Sequence, residues 1–276
     1  MEPMVRRALD EDFGNSGDLT AQLLIPAAAN AALVMRAREA GIIAGMQAAE
    51  MAYAMVDPRV SFSVQTPDGG HVKKGDIVAS VQGPTRALVS AERVALNFLG
   101  RMSGIATLTA QYVKSVQGTD VRIAATRKTT PWLRAIEKQA VLAGGGYTHR
   151  ESLAAAIMIK DNHIALAGGI EKAMSTLSKR ADHMTRISVE VDTHAQLETL
   201  LKYEPDVILL DNMDAENLIK AVAMTKAYAG RRPVLEASGG VNLDTVRGLA
   251  QSGVDVISIG ALTHSAPNFD IGMDAA

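Results

Sequence analysis

Arg127, Lys128, His149, Arg150, Lys160 and His163 fall within residues 127–163, beside short apolar runs that read as buried strands. A solvated basic face would spread its charge along a helix. These charges sit instead just past segments such as Val121-Arg122-Ile123-Ala124 and Ala156-Ile157-Met158-Ile159. Strand ends are where α/β proteins keep their chemistry, and six basic groups there suit an anionic ligand.

Further along, the polar residues after each apolar run change character. Ile187-Ser188-Val189 leads into Glu190, Val207-Ile208-Leu209-Leu210 into Asp211, Val234-Leu235 into Glu236-Ala237-Ser238-Gly239-Gly240, and Val256-Ile257-Ser258-Ile259 into Gly260. Glu190 and Asp211 are hard oxygen donors suited to Mg²⁺ that arrives with a phosphate, bound directly or through water and sugar hydroxyls. Ser238-Gly239-Gly240 and Gly260 suit the phosphate itself, because glycine lets backbone N–H groups approach closely. Singly, Glu190 and Asp211 read as caps or ion-pair partners, and Ser-Gly-Gly as a tight turn. Four successive strand ends with complementary chemistry carry more weight than any one of them. His71, His183, His194 and His264 read as structural, and Trp132 as a packing residue.

The elements that must position these residues follow from periodicity. An acidic helix opens the chain, Ala31 to Arg38 reads as a strand, Met46 to Val56 as a helix, and Val60 to Val64 as a half-exposed strand. A small turn-rich β region ends at Gly83-Pro84. From Ala87 to about Val116 the pattern is helical, with Leu88, Ala91, Val94, Ala95, Phe98 and Leu99 on one face. Beyond it, six β-rich runs begin at Val121, Ala156, Ile187, Val207, Val234 and Val256, separated by helical stretches; they read as βα units of a parallel sheet, closed into a barrel or partly open.

Composition sets limits. The 276 residues could form one large α/β barrel or two unequal domains. A net charge of −2 gives no case for nucleic acid or an anionic membrane as partner. The absence of cysteine excludes disulfides, thiolate nucleophiles and cysteine-ligated metal. No signal-peptide core or spanning run is visible, and a cytoplasmic protein is expected.

Thr126-Arg127-Lys128-Thr129-Thr130-Pro131, Gly144-Gly145-Gly146 with His149-Arg150, Ile159-Lys160-Asp161-Asn162-His163, Leu210-Asp211-Asn212, Glu236-Ala237-Ser238-Gly239-Gly240 and Leu262-Thr263-His264-Ser265-Ala266-Pro267 together resemble the nicotinate-nucleotide pyrophosphorylase family, also called quinolinate phosphoribosyltransferase. The likeness runs nearly end to end and includes Gly17-Asp18-Leu19-Thr20 and Glu92-Arg93-Val94-Ala95-Leu96-Asn97. It implies an open (β/α) barrel over residues 102–264 and a smaller N-terminal α/β sandwich domain over 1–101, which the tail 265–276 rejoins. It further implies a homodimer or higher oligomer with shared active sites, in which Arg93 reaches the neighbour's site. The implied substrates are quinolinate and phosphoribosyl diphosphate with Mg²⁺; the products are nicotinate mononucleotide, diphosphate and CO₂.

By the same resemblance, Arg93, Thr126, Arg127, Lys128, His149, Arg150, Lys160 and His163 bind substrate, chiefly the quinolinate carboxylates. Glu190 and Asp211 hold the ribose and its metal, while Ser238, Gly239, Gly240, Ser258, Ile259 and Gly260 hold the 5-phosphate. Lys128, Lys160, Glu190 and Asp211 are the expected catalytic set. The chain departs from the commoner pattern at Ala125, where Asp is frequent, at Trp132, where Gly is usual, and at Thr148, where Asn is usual. Other readings are a ModD-like phosphoribosyltransferase, a barrel aldolase with Lys160 as Schiff base, and a non-catalytic binder of phosphoribosyl compounds.

Overall fold

A computed structural model describes all 276 residues. The acidic N-terminus forms α1 (Glu2–Phe13), with proline in its first turn, where a missing N–H costs nothing. Asp18 caps α2 (Leu19–Leu24), accepting the Ala21 N–H at 2.9 Å and the Ser90 hydroxyl at 2.9 Å. The Ala21 amide foremost holds the Asp18 carboxyl below its usual range, against the opposing effect of burial. There follow β1 (Asn30–Ala37), β2 (Gly41–Ile42), α3 (Met46–Val56), β3 (Ser61–Val64), β4 (His71–Val72) and β5 (Ile77–Pro84). Val5 and Leu9 of α1 are buried, and α1 packs on α3.

The long helix α4 (Thr85–Ser115) has the expected face, since Leu88, Ala91, Val94, Ala95, Phe98 and Leu99 are all buried. Gly104 is required there, because a Cβ would run into the backbone carbonyl of Pro267.

The remaining elements are β6 (Arg122–Ala124), α5 (Arg134–Ala143), β7 (Ile157–Ile159), α6 (Asp161–Ala167), α7 (Ile170–Arg180), β8 (Ile187–Val191), α8 (His194–Leu201), β9 (Val207–Asp211), α9 (Ala215–Ala227), β10 (Val234–Ser238), α10 (Val246–Gln251), β11 (Val256–Ser258), α11 (Ala261–His264) and β12 (Ile271–Ala275). All six expected strands of the parallel sheet are present, in the order β6-β11-β10-β9-β8-β7. Since β6 and β7 are its two edges and do not pair with each other, the barrel is open.

The register of this sheet sorts its side chains into two faces, because cross-strand neighbours point the same way and alternate along each strand. Val191, Leu210, Ala237, Ile257 and Ile123 share one row, and Val189 and Ile208 lie in a neighbouring row of the same face; all are buried and apolar. The alternate rows form the other face, and they carry the acids.

A second sheet has the order β12-β1-β5-β3 and is antiparallel throughout. Its C-terminal strand is tied by Asp274, which accepts from Arg36 at 3.2 Å and Arg38 at 2.6 Å. The chain divides into two compact units. One comprises Met1–Ala110, Lys128–Gly146 and Leu262–Ala276, and the other Gln111–Arg127 and Tyr147–Ala261. The first therefore holds the antiparallel sheet with its helices, and the second the parallel sheet.

Trp132 does not pack as its residue type suggests. It is 61% exposed, stands at a left-handed φ of 72°, and has the Arg7 guanidinium 4.9 Å from its ring centroid. The backbone conformation suits glycine far better than an aromatic residue. Glycine is also what the family resemblance leads one to expect at this position.

Candidate active site

In the parallel sheet, Glu190 pairs with Leu209, Leu209 with Glu236, and Glu236 with Val256, so both acids point from the same face with β9 between them. Two residues further along, Asp211 pairs with Ser238, and Ser258 with Ala124. The alternation that buries one face of each strand thus delivers Glu190, Asp211, Ser238 and Ser258 to the other.

Each of the two inner acids meets a base. Lys160, which precedes α6, donates from Nζ to Glu190 Oε2 at 2.6 Å. The Lys160 N–H itself donates to His163 Nδ1 at 3.0 Å, so His163 holds the turn into α6. His149 Nε2 lies 3.3 Å from Glu236 Oε1, a carboxylate with a side chain 6% exposed. That contact is electrostatic, since Glu236 Oε1 accepts no hydrogen bond of good geometry. His149 Nδ1 accepts the Arg150 N–H at 2.8 Å, which leaves the ring proton on Nε2, facing Glu236.

Arg150 donates to the Ala156 carbonyl at 3.1 Å. Burial, and secondarily the charge of Arg127, pull the Arg150 guanidinium below its ordinary pKa. The Arg127 Nε is buried without a hydrogen-bond partner. An anionic ligand that accepted from both guanidiniums would offset this like-charge repulsion.

The strand ends after β9 and β10 lock together. Asn212, at a left-handed φ of 54°, donates its N–H to the Ser238 carbonyl at 2.8 Å and its side-chain amide to Asp211 Oδ2 at 2.6 Å. A Cβ on Gly239 would overlap the Asn212 side chain, and Gly239 and Gly240 have φ of 91° and 61°. Successive left-handed glycines leave their N–H groups free to converge on an anion. Ser258 and Ile259 are buried, and the Ile259 N–H pairs with the Ala124 carbonyl at 2.9 Å, which fixes the turn at Gly260.

Beside this lies a cleft of about 270 Å³ lined by Asp161, Glu190, Asp192 and Asp211, among others. No group of three or more His, Cys, Asp or Glu side chains is placed to hold a metal ion by itself. Glu190 and Asp211 are two hard oxygen donors on this cleft, and a divalent ion held there would need phosphate oxygens and water to complete its shell.

Thr126, Arg127, His149, Arg150, Lys160, His163, Glu190, Asp211, Ser238 to Gly240 and Ser258 to Gly260 all belong to the second compact unit; Arg93 and Lys128 belong to the first. Arg93 is exposed on α4, and Lys128 is exposed in the loop after β6. Residue types alone gave no role to three groups. Glu236 could have been found from its i, i+2 relation to Ser238. Arg101 and Glu137 could not, because they form an ion pair 36 residues apart in sequence.

An open parallel barrel that gathers guanidiniums, a histidine, paired carboxylates and a glycine turn on its strand ends defines an α/β enzyme for phosphorylated and anionic substrates. Residues 105–274 match the family model for the C-terminal domain of quinolinate phosphoribosyl transferase, and residues 18–103 that for the N-terminal domain. A nicotinate-nucleotide pyrophosphorylase (carboxylating) of Mycobacterium leprae is 39% identical over 280 residues, covering 98% of this chain and 95% of the relative. A quinolinate phosphoribosyltransferase (decarboxylating) of Nicotiana tabacum is 41% identical over 291 residues, covering 99% and 81%. The crystal structure of nicotinate-nucleotide pyrophosphorylase from Ehrlichia chaffeensis superposes with a TM-score of 0.94 at 38% identity, over 100% of this chain and 98% of that one. The chain belongs to the quinolinate phosphoribosyltransferase family.

Proposed function

We propose that this enzyme joins quinolinate to phosphoribosyl diphosphate, releasing diphosphate and CO₂ and giving nicotinate mononucleotide for NAD synthesis. One observation carries the reading: a single face of the parallel sheet presents Glu190, Asp211 and Ser238, with the Gly239-Gly240 turn locked against Asn212. That is a sugar-phosphate cradle, and the adjacent Arg127–Arg150 pair suits a dicarboxylate.

Catalysis is positioning and electrostatics. The Gly239-Gly240 turn and the Ser258–Gly260 turn hold the 5-phosphate, and Glu190 and Asp211 accept from the ribose hydroxyls. As the diphosphate leaves, positive charge grows on the sugar, and these two carboxylates stabilise it while the quinolinate nitrogen attacks. Mg²⁺, when bound, supplies countercharge to the departing diphosphate. Arg127, Lys128, His149, Arg150 and Lys160 orient the pyridine through its carboxylates. Cleavage of the bond to the 2-carboxylate leaves its electron pair on the ring carbon beside a cationic nitrogen, and a proton then replaces CO₂ there.

Lys160 argues against a Schiff-base aldolase. It is open to solvent and donates to Glu190, whereas a Schiff-base lysine needs an uncommitted, desolvated amine. Trapping with borohydride in the presence of a sugar phosphate should leave Lys160 unmodified; a reduced adduct there would reverse the assignment.

We infer, from the motif resemblance alone, a homodimer with shared sites in which Arg93, exposed on α4, serves the neighbouring subunit. No helix is long and apolar enough to cross a membrane. A cytoplasmic setting agrees with that and with the absence of cysteine.

A further inference from the structure

Glu137, on α5, is fully buried, yet its carboxylate is saturated with donors. Oε1 accepts from Arg101 Nη2 at 2.7 Å, from Arg101 Nε at 3.1 Å and from the Thr130 hydroxyl at 2.7 Å; Oε2 accepts the Thr130 N–H at 3.0 Å. The same Arg101 guanidinium donates to the carbonyls of Ala266, at 3.1 Å, and Thr263. Thr263 in turn donates its hydroxyl to the Lys128 carbonyl at 2.8 Å. The hydrogen bonds thus run from the Lys128 carbonyl through Thr263, Arg101 and Glu137 to Thr130, two residues past Lys128 in the chain.

We infer that the ion pair of Arg101 with the buried Glu137 is a positioning device for Lys128, holding its backbone from both sides so that its ammonium meets a quinolinate carboxylate at a fixed place. Three physical points support this. A loop of this kind has no strand or helix of its own to fix it, so its geometry must come from side chains. An ion pair to a fully buried carboxylate gains little net stability, because desolvation offsets most of its attraction, but it can specify one arrangement. The guanidinium is also a planar fork with several donors in fixed directions, which a lysine could not reproduce. Glu137 is fully buried and each nitrogen of the Arg101 guanidinium already donates within the network, so the pair acts through Lys128 and not on substrate.

This inference rests on the reading that Lys128 touches quinolinate, and the experiment separates the two. Steady-state kinetics would be measured for the full-length enzyme with quinolinate and phosphoribosyl diphosphate varied in turn, for Lys128→Ala, Glu137→Gln, Thr263→Val and the double variant Lys128→Ala/Thr263→Val. Thr263→Val deletes only one hydroxyl and keeps the volume, so it reports even if Glu137→Gln folds poorly. The expected result is a KM for quinolinate raised about ten-fold in Glu137→Gln and a few-fold in Thr263→Val, of the size a lost buried hydrogen bond brings, with the KM for phosphoribosyl diphosphate nearly unchanged. In the Lys128→Ala background, Thr263→Val should add nothing, because the side chain it positions is gone. If Lys128→Ala raises the quinolinate KM but Thr263→Val and any folded Glu137→Gln do not, the positioning role is overturned while the Lys128 assignment stands. Additive effects in the double variant, or equal effects on both substrates, would likewise show a merely structural role. If Lys128→Ala leaves the quinolinate KM unchanged, the assignment itself fails and the inference falls with it.

Discussion

Lys160 Nζ lies 2.6 Å from Glu190 Oε2, joining the end of β7 to the inner face of β8. The carboxylate is the more enclosed partner, with its side chain only 11% exposed. A base assigned to the pyridine substrate and an acid assigned to the ribose therefore hold each other before either meets a ligand. This keeps both side chains near their working positions, which lowers the ordering cost of binding.

Removing either of two bases assigned to quinolinate, Lys160 and Arg150, should damage binding without unfolding the chain. For Lys160→Ala and Arg150→Ala the loss in kcat/KM should correspond to about 2–5 kcal/mol, because an enclosed carboxylate of the substrate is left without its partner. Circular dichroism should remain that of the parent enzyme. Near-normal kcat/KM in both variants would remove them from the site.

Gly239→Ala should act on the other substrate. The new methyl group would meet the Asn212 side chain and force a left-handed φ of 91° on a residue with a Cβ. A rise in KM for phosphoribosyl diphosphate of about ten-fold or more is expected, with a smaller change for quinolinate, on the scale of the 1–3 kcal/mol that such strain costs. An unaltered phosphoribosyl diphosphate KM would mean that the turn does not hold the phosphate.

Much of this architecture was legible in the residues. The six strands of the parallel sheet and the buried face of α4 are written in local periodicity, which a single chain displays directly. The glycine turn after β10 was visible because the backbone there leaves little choice but glycine. What could not be read was non-local. Nothing near Glu137 announces Arg101, and nothing near His149 announces Glu236, since each pairing depends on how distant segments are brought together. Trp132 failed for a different reason: its type favours burial, but a left-handed backbone in an exposed loop overrode it.

Tyr53 carries a buried polar atom to which the site assigns no role. The Tyr53 hydroxyl is buried without a hydrogen-bond partner, its ring centroid is 5.9 Å from that of Phe62, and burial pushes its ionisation upward. Tyr53→Phe removes the unpartnered group and keeps the ring. Stability to urea should be unchanged or higher by about 1 kcal/mol, with activity intact. A loss of more than about 1 kcal/mol would show that the hydroxyl has a partner, such as an ordered water.

The shared-site arrangement can be tested by complementation. Arg93→Ala and Lys160→Ala should each be strongly impaired as homodimers. Co-expressed, they should regain activity, because under twofold symmetry one site of a mixed dimer collects both defects and the other collects none. With random pairing about a quarter of all sites would be intact. No recovery in mixed dimers shown to have formed would place Arg93 in its own subunit's site, or in none.

The central claim is the decarboxylating transfer, and its most direct measurement supplies the purified enzyme with quinolinate, phosphoribosyl diphosphate and Mg²⁺ while following CO₂ and nicotinate mononucleotide together. The expected result is equal amounts of the two products, no product when a chelator removes the metal, and no turnover when nicotinic acid replaces quinolinate. Nicotinate mononucleotide formed from nicotinic acid but not from quinolinate, or no release of CO₂ at all, would contradict it.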